Sequence, residues 1–201
     1  MIPAVGTPKT VNRNSVRIIG GAWRGRRLAF PDLPGLRPTP DRVRETLFNW
    51  LQYYIVGTRC LDLFAGSGAL GFEALSRGAR EVVFVEQAAA AADNLRARLL
   101  HLDAAAAAKI LQMDAGHFLR TEPQAFDIVF LDPPFGKDAL PEYVALLDTG
   151  GWLKVGSLVY LENAKSAGPP RLPAHWELLK SKSAGEVGYY LARVKARIEN
   201  Q

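Results

Sequence analysis

The sequence predicts an α/β fold in which a sheet of five parallel strands is covered by helices on both faces and completed by an antiparallel hairpin. Three observations carry this expectation. From Arg59 onward short apolar runs alternate with helical runs, the pattern of a parallel sheet whose crossovers are helices. Glycines fall where the first of those strands turns into a helix, at Gly66, Gly68 and Gly71. The last two strand-like runs, Trp176–Ser181 and Val187–Val194, are joined by a Ser-Ala-Gly-Glu turn with no room for a crossover helix, so they pair antiparallel. The result is a Rossmann-like sheet without two mirrored βαβαβ halves, and no internal repeat is present.

Residues 1–15 are mixed, proline-containing and without periodicity, which predicts a flexible leader. Val16–Ile19 and Arg26–Phe30 are short β-type runs flanking a glycine-rich link, so a small basic β-hairpin is expected. Past the proline-rich stretch from Pro31 to Pro40, Asp41–Tyr54 places Val43, Leu47, Trp50, Leu51 and Tyr54 on one helical stripe, with Thr39 as cap and Pro40 in the first turn. Residues 16–54 thus form a basic hairpin-and-helix arm, and residues 55–201 the main domain. Its parallel strands are expected at Arg59–Leu63, Glu81–Val85, Lys109–Gln112, Asp127–Leu131 and Ser157–Leu161. Helices fit Ala69–Arg77, Ala88–Leu100, Gly116–Leu119 and Leu140–Leu147, and helix propensity alone explains the alanine clusters 88–92 and 104–108.

A chain of 201 residues with 48% hydrophobic composition buries one full core. One cysteine, Cys60, and three separated histidines, His101, His117 and His175, supply neither a disulfide framework nor a zinc-ligand spacing. No metal is expected, and a reducing, cytoplasmic setting is. The opening residues lack a basic segment followed by an apolar run, and no stretch approaches about 20 apolar residues, so neither export nor a membrane span is expected. The net charge is +5 and unevenly placed: residues 1–59 hold ten lysines and arginines against three acids, so the whole excess lies in the first third. Such an arm suits a polyanionic partner, although a merely solvated basic face would have the same composition.

Behind the first parallel strand runs Asp62-Leu63-Phe64-Ala65-Gly66-Ser67-Gly68-Ala69-Leu70-Gly71. Glycine lets a backbone approach a ligand closely, and the helix that follows presents free N–H groups. Glu86 and Gln87 close the second strand, where a carboxylate can accept both hydroxyls of a ribose. Because the three glycines also satisfy G-x-G-x-x-G, a nicotinamide oxidoreductase is a rival reading. Three features favour S-adenosylmethionine instead. Asp62 lies inside the strand, where it can bind the amino-acid end of that cofactor but would repel a pyrophosphate. Asp114, followed by Ala115, ends the third strand and is placed to accept an adenine amino group. The third is the terminal hairpin. Each acid alone could be a turn cap or a loop residue; together they point to one cofactor site made of Asp62, Phe64, Ala65, Gly66, Gly68, Glu86, Gln87, Asp114 and Ala115.

The fourth strand runs into Asp132-Pro133-Pro134-Phe135 at the carboxyl end of the sheet, where open α/β sheets bind ligands. An exocyclic amine on a base is a weak nucleophile because its lone pair is delocalised into the ring. Acceptors bonded to its hydrogens can turn that lone pair toward an electrophile, and the Asp132 carboxylate and Pro133 carbonyl are such acceptors. The two prolines fix the backbone and remove competing N–H groups, while Phe135 offers a face for a flipped-out base. A strong general base is not needed, since the nitrogen becomes acidic once methylated. A plain turn would account for the proline pair but not for the acid and aromatic flanking it.

With Asp62–Gly71, Glu86, Asp114 and Asp132–Phe135, the chain resembles class I methyltransferases of the amino-methylating group. Two amino-terminal stretches, Ile18–Leu28 and Arg37–Leu51, look like the RsmD family, and that similarity extends from about residue 16 to residue 195. The resemblance implies methylation of guanine N2 in 16S ribosomal RNA, at guanine 966, with S-adenosylmethionine as cofactor. The RNA would be met free or in an assembly intermediate of the small ribosomal subunit, and the enzyme is taken as a monomer. Asp is the family's usual first residue of the Asn/Asp-Pro-Pro-aromatic motif, and Asp132 agrees. Pro40 stands where a second Thr would usually follow Arg37-Pro38-Thr39, and the leader has no counterpart. The resemblance also gives the arm a role in RNA contact, with Arg17, Arg24, Arg26, Arg27, Arg37 and Arg42 on phosphates and Trp23 stacking on a base. Phosphate contacts hold RNA without choosing the base. Asp132 could choose it, accepting from guanine's amino group and ring N1–H together, which adenine cannot offer. An amino methyltransferase acting on DNA or another RNA, and a non-catalytic RNA-binding module, are the alternatives.

Overall fold

A computed structural model of the chain describes residues 14–34, 36, 38–134 and 139–197. The arm comes first: β1 (Ser15–Arg17) and β2 (Arg27–Ala29) pair antiparallel, with Val16 opposite Leu28, and α1 (Asp41–Leu51) follows. Then come β3 (Arg59–Asp62), α2 (Ala69–Ser76), β4 (Glu81–Glu86), α3 (Ala89–His101) and β5 (Ala108–Gln112). The second half holds α4 (Ala115–Phe118), β6 (Phe126–Leu131), α5 (Leu140–Thr149), β7 (Leu153–Ala164), β8 (Trp176–Ala184) and β9 (Val187–Val194). Strand order is β5-β4-β3-β6-β7-β9-β8, parallel from β5 through β7. β9 is antiparallel to both β7 and β8, so the terminal hairpin inserts its second strand next to the parallel set.

The central strands bury both faces, which is why they read as continuous apolar runs. Alternate residues go to opposite sides. Val82 and Phe84 of β4 join α1, α2, α3 and the hairpin residues Ile18 and Leu28 in one core, whereas Val83 and Val85 join Phe118 of α4 and Val144 and Leu147 of α5 in the other. The hairpin and α1 are therefore packed into the core of the sheet.

Four local expectations are corrected. α1 ends at Leu51 rather than Tyr54, because the Tyr54 and Ile55 N–H groups both turn back to the Leu51 carbonyl and leave Tyr54 45% exposed. Pro40, not Thr39, occupies the N-cap position, and the Thr39 hydroxyl points to Asp132 instead. Alanines 104–108 make a single 3₁₀ turn, Ala105–Ala107, before Ala108 pairs with Val82; sheet pairing overrides helix propensity there. β7 begins at Leu153, well before Ser157, with a register irregularity opposite Phe126 and Ile128.

A buried ion network fastens the arm to the sheet domain. Glu73 of α2, with no exposed surface, accepts the Ile19 and Gly20 N–H groups at 2.8 Å each and pairs with Arg44 at 3.4 Å and Arg77 at 2.7 Å. Arg44, equally buried, donates to the Thr39 and Arg17 carbonyls and to Asp41. Buried charge is tolerated because backbone groups take up the hydrogen-bonding capacity that the ion pair leaves over. Shape contributes at Gly21, where φ is +75° and a Cβ would collide with the Ser76 carbonyl.

Candidate active site

Each of the five parallel strands carries one acid at or just beyond its carboxyl end. In spatial order these are Asp114 after β5, Glu86 of β4, Asp62 of β3, Asp132 after β6 and Glu162 of β7. The chain leaves β3 toward β4 and β5 and returns to β6 on the other side, so Asp62 and Asp132 flank the point where the strand order reverses. Ligands of open α/β sheets bind at that point. Among the described residues no ion pair engages any of these five acids. A row of acids without an ion-pair partner among the described residues attracts a cationic ligand and repels a pyrophosphate.

Asp62 is 3% exposed, and burial pushes its carboxyl up to about 7, against the Gly71 N–H bond at 3.0 Å and with the charges of Asp132 and Glu86 adding to the rise. Gly71 is the third residue of α2, whose N-cap, Gly68, has no side chain, so Asp62 caps the helix from the neighbouring strand. A cation placed beside Asp62 would favour its ionised form. Glu86, half-buried, holds the glycine loop: Oε2 accepts the Gly66 N–H and Oε1 the Ala88 N–H, both at 2.7 Å. Gln87 beyond it is exposed. Asp114 is exposed and caps α4 by accepting the His117 N–H at 2.9 Å, so that helix starts at a buried Ala115, one residue earlier than the sequence suggested.

The three glycines of the loop serve different ends. A Cβ on Gly68 would strike Phe72 and Leu95, and one on Gly71 would strike Phe84, so packing of α2 demands both. Gly66, at φ +51°, is the one with room above it, its nearest neighbour there being the Leu36 side chain at 3.8 Å. A ligand can lie against Gly66 and the adjoining Ala65, whose N–H ties the loop to the Val85 carbonyl. Phe64 meets Tyr143 of α5 edge-on, with ring centroids 4.9 Å apart. Burial and then the Asp114 charge hold the Tyr143 hydroxyl above its usual range, which places that ring beside Asp114. Nothing in the local pattern of α5 singles out Tyr143.

Asp132 is partly exposed, and burial pushes its carboxyl up to about 6, opposed by the Thr39 hydroxyl 3.5 Å from Oδ2. Pro133 is buried and Pro134 exposed, so the chain turns outward directly after the acid; Phe135 lies outside the described residues. Leu36 against Gly66 and Thr39 against Asp132 form a wall from the arm, one at the glycine loop and the other at the Asp-Pro-Pro turn. Sequence reasoning missed this wall because a Thr before a Pro at a helix start reads as a cap.

The basic arm divides. Arg17, Arg24, Arg26, Arg27 and Arg42 are exposed, while Arg37 lies outside the described residues. Arg17 stands opposite Arg27 across the hairpin and 3.6 Å from Asp41, a surface pair that contributes little. Trp23 is half-buried against the core, with its backbone N–H on Ser76 Oγ, so much of its ring is engaged in packing. The hairpin tip thus docks at the carboxyl end of α2, whereas the glycine loop lies at that helix's amino end. RNA touching both would span the eight-residue helix, about 12 Å.

Sheet order, terminal hairpin and acids at the switch point define the class: this is the fold of class I methyltransferases. The chain is similar to the solved structure of yhhF from Escherichia coli, described as an inferred methyltransferase, at 45% identity and a TM-score of 0.86, covering 92% of this chain and 100% of that one. Residues 16–193 match the family described as Conserved hypothetical protein 95, and the chain belongs to that family. It is 47% identical over 193 residues to Ribosomal RNA small subunit methyltransferase D of Escherichia coli, covering 96% of this chain and 97% of that protein. The protein of the same name from Haemophilus influenzae is 46% identical, with 89% and 94% covered. The resemblance to the RsmD family is borne out. Among the described residues no helix is long and apolar enough to cross a membrane, and no group of three or more His, Cys, Asp or Glu is arranged to hold a metal ion.

Proposed function

We propose that the chain transfers a methyl group from S-adenosylmethionine to the exocyclic N2 amine of a guanine in 16S ribosomal RNA, guanine 966. It would act as a cytoplasmic monomer on that RNA, free or in an assembling small subunit. The observation that carries this reading is the Asp132-Pro133-Pro134 turn beside a row of acids that no ion pair engages among the described residues, in a chain similar along nearly its whole length to ribosomal RNA methyltransferases. The donor set fits the cofactor. Asp62 suits its ammonium group, each Glu86 oxygen keeps a lone pair for a ribose hydroxyl, Asp114 has an oxygen for the adenine amine, and Gly66 leaves a face open. A nicotinamide cofactor fits less well, since packing explains two of the three glycines and the acids would oppose its phosphates.

Bound there, S-adenosylmethionine supplies a methyl group on a positively charged sulfur. The chain's own residues prepare the amine. Asp132 and the Pro133 carbonyl accept its hydrogens and direct its lone pair, Asp132 takes the proton that the nitrogen sheds on gaining the methyl, and Phe135 stacks on the base. Mapping the methylated nucleotide after incubating unmethylated small subunits with enzyme and methyl-labelled cofactor tests the reading, with free 16S RNA and duplex DNA in parallel. Label in N2-methylguanine at position 966 is expected; label confined to DNA, or to another base, overturns it.

Glu86→Ala is expected to weaken S-adenosylhomocysteine binding by about 1–3 kcal/mol in calorimetric titration. Part of that loss comes from freeing the Gly66 and Ala88 N–H groups, so Glu86→Gln, which retains one acceptor oxygen, should fall between. Unchanged affinity would remove Glu86 from the site. Replacing Arg24, Arg26 and Arg27 with alanine should weaken RNA binding and flatten its logarithmic salt dependence by up to roughly 0.7–0.9 per lost phosphate contact, with cofactor affinity unchanged. A wild-type salt slope in the triple variant would leave the hairpin's charge as a solvated surface.

A further inference from the structure

Glu162 is a buried carboxyl with no part in cofactor binding or in the Asp-Pro-Pro turn. It lies on β7 with 3% of its surface exposed. β6 and β7 run parallel with Phe130 opposite Tyr160 and Leu131 opposite Leu161, so the next positions along are Asp132 and Glu162. Strand alternation puts these two acids on the same face as Phe130 and Tyr160, whose rings meet edge-on at 6.5 Å. From within the strand Tyr160, itself fully buried, donates its hydroxyl to Glu162 Oε1 at 2.6 Å. From β9 Tyr189 is in register with Glu162 and stacks on Trp50 of α1. Thr39 stands on the other side of Asp132, and Asp62 faces it across the switch point. Among the described residues no lysine, arginine or histidine nitrogen comes within 4.0 Å of an oxygen of Asp132, Glu162 or Asp62.

Two carboxyls on neighbouring strands, Glu162 shielded from water and Asp132 partly so, with no cation paired to either among the described residues, resist carrying two charges at once. We propose that Glu162 is a positioning residue for methyl transfer: fixed in place by Tyr160 and kept protonated by its burial beside a second acid, it leaves the Asp132 carboxylate beside it as the single anion presented to the target amine. This rests on the reading of Asp132 as the acceptor of that amine. A protonated Glu162 receives the Tyr160 hydroxyl on Oε1 and carries its own proton on Oε2. Burial, and then the Asp132 charge, raise Glu162 to about 8 against the Tyr160 bond, whereas Asp132 is raised only to about 6, so between those values the anion of the pair is Asp132. Above that window a second charge appears. Two like charges then push the side chains apart, and Asp132 turns away from the amine.

The test is the pH profile of single-turnover methylation of unmethylated small subunits by the wild type and by Glu162→Gln, which mimics the protonated acid and cannot ionise. The wild type should rise through about pH 6 and fall through about pH 8. Glu162→Gln should keep the rise and lose the fall, so at pH 9 its rate exceeds the wild-type rate by up to roughly tenfold, the factor that one pKa unit sets. A fall at the same pH in both proteins overturns the proposal, because a merely structural Glu162 would leave the profile in place. Carboxyl-carbon NMR of the wild type gives a readout independent of any variant: Glu162 protonated at pH 7 is expected, and Glu162 ionised at pH 7 overturns it. A wild type that methylates no guanine would overturn the reading of Asp132 itself; one that methylates guanine with a profile unmoved by Glu162→Gln overturns only the role of Glu162.

Discussion

Asp132→Ala is expected to lower the rate of methyl transfer by about 10²–10⁴-fold while S-adenosylhomocysteine binds almost as before. The rate should fall because, in the proposed mechanism, the variant loses both the acceptor that orients the amine's lone pair and the base that takes its proton. Pro133 retains its carbonyl, so one of the two acceptors survives and the loss stays finite. Cofactor affinity is nearly conserved through two opposing changes. Removing the Asp132 charge lowers the Asp62 carboxyl from its raised value near 7 and keeps it ionised, but it also removes one anion from the field that attracts a cation. Asp132→Asn should fall between the two, since asparagine keeps a carbonyl acceptor but cannot take the proton. Single-turnover kinetics with calorimetry separates the effects, and wild-type turnover by Asp132→Ala would remove this residue from the mechanism.

Glu73→Ala should give the largest loss of stability, about 3–5 kcal/mol, because it takes away the one buried anion of the fully buried Arg44 guanidinium, leaving it only the half-exposed Asp41, and removes the carboxylate that Arg77 pairs with. For a chain of this size that corresponds to a fall in Tm of about 6–20 °C. Two backbone donors, Ile19 and Gly20, lose their acceptor at the same time, so the hairpin loosens where it meets α2. Thr39 is tied to the same network through its carbonyl bond to Arg44, and limited proteolysis should therefore report new cleavage in the arm. Combining Glu73→Leu with Arg44→Met removes both buried charges and should recover part of the loss. Recovery stays incomplete because the two N–H groups remain without a partner. A single variant melting within about 2 °C of the wild type would show that the network contributes little.

Much of the site is legible in the amino-acid sequence. The strand-to-helix glycine turn, Glu86, Asp114 and the Asp-Pro-Pro turn all fall at strand ends, and strand ends follow from runs of apolar residues a few positions long. What stays hidden lies in partners far apart in the chain. Thr39 reaches Asp132 across 93 residues, Arg44 reaches Glu73 across 29, and Glu162 meets Asp132 only because β6 and β7 are neighbours. Along the sequence, Glu162 is one acid after an apolar strand, and Arg44 one more charge in a basic arm.

The sequence by itself determined the order and type of the elements, the doubly covered parallel sheet with its antiparallel hairpin, and the strand ends on which the proposed cofactor and base residues stand. These follow from local periods of two and 3.6 residues and from glycine and proline at turns. Only the tertiary structure decided which charges are buried, which two glycines answer to packing and which one keeps room above it, and that Leu36 and Thr39 of the arm stand at the candidate site. Burial and charge coupling depend on which distant segments share a face of the sheet, and that is set by the strand order, which no local pattern encodes.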